Sequence, residues 1–153
     1  MRRRATAGRI FALFAVVLAV SGCGGAPPED ATLYGKLDNL VETKLPVPLA
    51  ALTDFQWDRA YFFDSYTPGD EVNSEVGGHV LASWRSVPED DGLLVFDLRG
   101  VPVRSARVST NVTRTNRGPG SDRLSHSVMA QPSCGLVYLV EVGDPPPSGD
   151  CNS

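Results

Sequence analysis

A chain of 153 residues, 42% hydrophobic and 21% charged, is long enough to bury one core and too short for two ordinary domains. Its 14 basic and 18 acidic residues leave a net charge of −4. That balance is poorly matched to phosphate backbones and argues against a nucleic-acid partner, and it gives no electrostatic hold on an anionic membrane.

The amino-terminal segment is the most informative part of the chain. Arg2, Arg3, Arg4 and Arg9 have no acid beside them, and residues 10–20 (IFALFAVVLAV) are apolar without a break. Eleven apolar residues fall well short of the roughly 20 that a permanent spanning helix needs. A basic start followed by a short apolar run is the build of a secretion signal, with the arginines retained on the cytoplasmic side. The run closes on Val20, Ser21, Gly22 and Cys23. This resembles the lipobox of bacterial lipoproteins, an aliphatic residue and two small residues before cysteine. The resemblance covers residues 1–23. It implies a signal peptide over 1–22, cleavage between Gly22 and Cys23, and a diacylglyceryl group on the Cys23 sulfur. It further implies acylation of the new amine, so that palmitate-class chains hold the protein on the extracytoplasmic face of the cell membrane, or on an outer membrane where the envelope has one. Two chains are physically sensible, because one holds a protein only marginally, at roughly 0.8 kcal/mol per buried methylene.

Cleavage changes the charge. Four of the 14 basic residues leave with the signal, so the chain from Cys23 carries about −8. Residues 23–30 lack periodicity and read as a lipidated, flexible tether. A single globular domain is expected over 31–143, and a Pro-rich tail over 144–153.

Within the domain, Leu33, Leu37, Leu40 and Val41 share one face of a helix over 31–42, ended by Pro46 and Pro48. Residues 55–63 read as an aromatic strand with Trp57, Arg59, Tyr61 and Phe63 on one side. Residues 67–77 carry helix signals at both ends: Thr67 as cap with Asp70 three positions on, Pro68 at the first turn, and Gly77 at the stop. Further strands are expected at 80–84, 93–98, 101–110 and 136–142, with a turn at 88–92 and a hairpin turn at Arg99 and Gly100. Residues 111–121 read as a mobile polar loop. The fold class is therefore α+β, an antiparallel sheet of four or five strands with one or two short helices. Trp57, Asp58, Tyr61 and Phe63, followed by Tyr66, Thr67 and Pro68, resemble a pattern in small uncharacterised secreted proteins and lipoproteins of bacteria. That likeness implies a shared small fold and no activity.

With Cys23 spent on lipid, Cys134 and Cys151 form an even pair, expected to be a disulfide outside the cytoplasm. His79 and His126 have neither a paired spacing nor a nearby cysteine, so no metal is expected, and no cofactor. No Gly-x-Ser-x-Gly is present, and Ser125, His126 and Ser127 are merely neighbours. Asp54, Asp58, Asp64 and Asp70 read as a solvated acidic surface. Trp57, Tyr61, Phe62, Phe63, Tyr66 and Trp84 read as core, with a ligand groove as the alternative. The expected function is a lipid-anchored binding or accessory module, meeting the membrane through Cys23 and an envelope protein or the cell wall through its domain. The alternative is a small envelope hydrolase built from Asp58, Asp64 and His79 or His126.

Overall fold

The computed structural model describes residues 26–115 and 120–145. In chain order the elements are α1 (Leu33–Thr43), β1 (Val47–Pro48), a 3-10 turn (Leu49–Leu52), β2 (Arg59–Phe63), α2 (Gly69–Val76), β3 (Asp91–Leu98) and β4 (Val101–Ser109). They continue with β5 (Thr113–Thr115), β6 (Ser121–Ser125), β7 (Met129–Ser133) and β8 (Leu136–Val140). The class is α+β. The strands are divided between two four-stranded sheets, ordered β4-β3-β2-β6 and β1-β7-β8-β5, antiparallel except for the parallel pair β5 and β8.

The first sheet is buried on both faces, which explains the unbroken apolar runs of β2 and β3. Ala60, Phe62, Leu94 and Phe96 point toward α1 and the second sheet, where they meet Leu33, Leu37, Leu40, Val137 and Leu139. Tyr61, Phe63, Leu93 and Val95 point the other way, onto Val72 and Val76 of α2 and onto Val80 and Val87. Gly92 lets the inner layer close: a Cβ there would stand 2.7 Å from the Phe62 ring. Helix α1 contacts β4, β7 and β8 and so ties the two sheets together.

Several expectations need correction. Trp57 does not share a face with Tyr61 and Phe63: the strand begins only at Arg59, and the Trp57 ring turns into the other core, edge-on to Phe96 at 5.2 Å. Residues 80–84 are not a strand, because Asn73 takes up their backbone groups. Its Nδ2 donates to the Leu81 carbonyl at 2.7 Å, and its Oδ1 accepts from the Val80 and Leu81 amides at 2.7 and 3.1 Å. Helix α2 starts at Gly69 with Pro68 at the cap position and no side-chain cap. Thr67 instead donates its hydroxyl to the Asp64 carbonyl at 2.7 Å, and the Gly69 amide finds the Arg85 carbonyl at 2.7 Å. The span 111–121 contains β5, paired with β8, and the first residue of β6. Other signals hold as read: Gly77 stops α2 at φ 67°, and Arg99 and Gly100 turn the β3–β4 hairpin at φ 57° and 82°.

The chain enters the fold earlier than the tether reading places it. Ser105 of β4 donates its amide to the Pro28 carbonyl at 3.0 Å, and its own carbonyl accepts from the Asp30 amide at 2.6 Å. Glu29 thus pairs in parallel with Ser105 and covers the open edge of β4. Among the described residues no helix is long and apolar enough to cross a membrane.

Candidate functional site

The residues expected to carry catalysis are not brought together. Asp58 and Asp64 flank β2 at opposite ends, about 20 Å apart along an extended strand. Each is spent on a turn: Asp58 accepts from the Arg99 amide at 3.0 Å, and Asp64 from the Gly120 amide at 2.9 Å. His126 lies on the turn after β6 with its ring 4.6 Å from that of Trp57. Beside it, Ser125 donates its hydroxyl to Glu141 at 2.6 Å and shares a bond with Ser127 at 2.7 Å, all on an exposed surface. Among the described residues, neither histidine has a hydrogen bond to an acid, and no three of His, Cys, Asp and Glu are grouped to hold a metal ion. Cys134 sits on the β7–β8 turn with φ 53°. Gly22, Cys23 and Cys151 lie outside the described residues.

What the fold does build is a cleft on the outer face of the first sheet, beside the edge where the chain enters. Its floor is Leu93 of β3 with Ser105 and Arg107 of β4; one wall is the segment from His79 to Arg85; the other is Ala26, Pro27 and Glu29. It encloses about 360 Å³ and continues past Leu81, Arg85 and Arg107 into a hollow of about 160 Å³ against Val87 and Pro88. Arg107 and Arg85 stand across it from one another in the sense of floor and wall, and both are exposed. Trp84 is 78% exposed, with the Arg85 guanidinium 4.8 Å from its ring centre. Arg107 meets Glu29 at 3.9 Å, a solvent-exposed pair of little strength.

The wall is held rigidly although it is a loop. Asn73 fixes Val80 and Leu81, the Gly69 amide holds the Arg85 carbonyl, and Val87 exchanges backbone bonds with Tyr66 and Thr67 at 2.9 and 3.0 Å. Gly69 is required by this closeness, since a Cβ there would lie 2.4 Å from the Ala82 carbonyl oxygen. Of the six aromatics weighed as core or groove, Trp57, Tyr61, Phe62 and Phe63 are core; Tyr66 and Trp84 are exposed, and only Trp84 lines the cleft. Sequence reasoning passed over Glu29, Arg85 and Arg107. The adjacency of Trp84 and Arg85, at the end of the run read as a strand, was the available signal.

Compared with protein-family models, with curated proteins and with solved structures, the chain has no match.

Proposed function

We propose that the protein is a lipid-anchored extracytoplasmic module that works at the cell envelope by binding. The observation that carries the reading is the place where the chain joins the fold. Glu29, six positions after the lipobox cysteine, is already paired with β4, and the same stretch forms one wall of a preformed cleft rich in arginine and tryptophan. A domain acylated at Cys23 is thereby kept close to the membrane, with a recognition surface at its point of attachment. Two acyl chains supply the hold, because the mature charge of about −8 opposes it. The groups a small hydrolase would need are dispersed over opposite ends of β2 and two separate loops, which favours binding over catalysis.

The anchor has a direct test. A fatty-acid probe supplied to cells is expected to label the wild type and not Cys23→Ala, and the variant is expected to leave the membrane fraction. A variant that still labels, or a wild type that never does, sinks the reading. Crosslinking in intact envelopes followed by purification is expected to recover a protein or cell-wall partner.

A further inference from the structure

We infer that the cleft seats the phosphate-bearing headgroups of the membrane that holds the lipid anchor, with Arg85 and Arg107 on the phosphates and Trp84 in the interfacial layer. The inference rests on the anchor proposed above and adds an orientation to it.

Chain length supplies the first argument. Ala26 lines the cleft and is three residues from Cys23, a stretch that spans at most about 11 Å when fully extended. An acylated Cys23 therefore holds the mouth of the cleft at headgroup depth.

Charge supplies the second. The mature chain is acidic, so most of its surface is repelled by anionic lipid. The cleft is a local exception: among the described residues its ionisable lining is His79, Arg85 and Arg107 against Glu29, and the described lining of the adjoining hollow adds no acid. A guanidinium stays charged throughout the physiological range and forks onto two phosphate oxygens. Among the described residues, the ion pair phosphate would displace is the long, exposed contact of Arg107 with Glu29.

The third argument is Trp84. A tryptophan 78% exposed beside an arginine gains little in water, whereas an indole is favoured at the headgroup level of a bilayer. Its backbone is already fixed by the bonds of Asn73 and Gly69 to the flanking residues, so docking requires little ordering.

The chain has two tryptophans, and Trp57 is buried, so a change in emission on membranes reports Trp84. The mature acylated protein is purified, its Cys23 modification checked by mass spectrometry, and the protein reconstituted into vesicles of phosphatidylcholine with or without phosphatidylglycerol. With the anionic lipid, emission is expected to shift to shorter wavelength and to be quenched by lipid brominated near the headgroup. Trp84→Phe is expected to remove the quenching. Arg85→Gln combined with Arg107→Gln is expected to leave the protein anchored and lose most of the quenching. All three side chains are exposed, and unchanged circular dichroism checks that the variants fold. In the unacylated Cys23→Ser chain, each arginine is expected to change partition onto anionic vesicles roughly fivefold.

Three results overturn the inference: a Trp84 open to iodide on anionic vesicles, quenching that survives the double arginine variant, or protection of Trp84 by inorganic phosphate in solution with none by vesicles. Absence of acyl groups on Cys23 is a separate result that removes the anchor reading; cosedimentation of the same chain with anionic vesicles, with Trp84 quenching as readout, then still decides the cleft.

Discussion

Asn73 stands on α2, yet its side chain completes the backbone of a segment seven and eight residues further on. It acts as a strand partner compressed into one amide, and it sets the wall of the cleft. Asn73→Ala leaves two amides and a carbonyl short of partners. It is expected to lower stability by about 1–3 kcal/mol in urea unfolding, and to speed amide exchange at Val80 and Leu81. Asp30 works similarly at the entry to α1. Burial alone raises its pKa, but its Oδ1 accepts from both the amide and the hydroxyl of Thr32, at 2.9 and 2.7 Å, and with Lys36 nearby these contacts hold the carboxyl below the usual carboxylate range. A carboxyl whose pKa is lower folded than unfolded stabilises the fold fully above the unfolded value, about 3.9, and loses that contribution as pH falls through the folded value. The stability of Asp30→Asn is therefore expected to fall less steeply than that of the wild type as acid is added below about pH 4, which urea unfolding at a series of pH values measures.

At the scale of elements, the legible parts of the sequence were those whose signal is local or whose burial is complete. The α1 face, the Arg99 and Gly100 turn and the Gly77 stop are written in a few neighbouring residues. Strand β3 is an unbroken apolar run because helix and sheet cover its two sides. What escaped was β6 (SDRLS) and β7 (MAQPS), polar segments that become strands because β2 and β8 present ladders to them. The converse error was the apolar run at 80–84, which has strand composition and no ladder. The cleft was illegible for a related reason: its charged lining comes from Glu29, Arg85 and Arg107, which only the pairing of the entering chain with β4 brings to one place. Packing between elements yields a sharp test. Gly92→Ala pushes a methyl into the Phe62 ring and is expected to destabilise by about 1–3 kcal/mol, and Phe62→Ala by about 3–5 kcal/mol. The double variant is expected to be less destabilised than the sum, since removing the ring makes room for the methyl.

For the whole molecule, the charge, the anchor and the tail bear on one another. Under the proposed lipid anchor, an acidic domain gains from a basic cleft only if that cleft faces the bilayer, which would leave the β5 and β6 side of the molecule for the proposed envelope partner. The proposed Cys134–Cys151 bridge would tie the tail to the β7–β8 turn. Under the chain-entropy account it contributes about 3 kcal/mol, read as a lower urea midpoint after reduction. Peptide mapping that recovers two free thiols would remove it.

The order of strands bears on how the chain would fold if it is exported as proposed. From β4 onward it crosses between the sheets at every connection until β7: first sheet, second, first, second. Strand β2 has both its partners later in the sequence, in β3 and β6, while β1 waits for β7 and α1 for β4, β7 and β8. A polypeptide threaded through a translocation pore from its amino end therefore has no pairing to close until β3 has emerged, and neither sheet is complete until β6 and β8 follow. Such late, long-range closure makes folding slow, in the range of milliseconds to seconds expected for distant β pairing. If the chain is exported as proposed, neither sheet is completed before β6 and β8 have passed, so full assembly comes late.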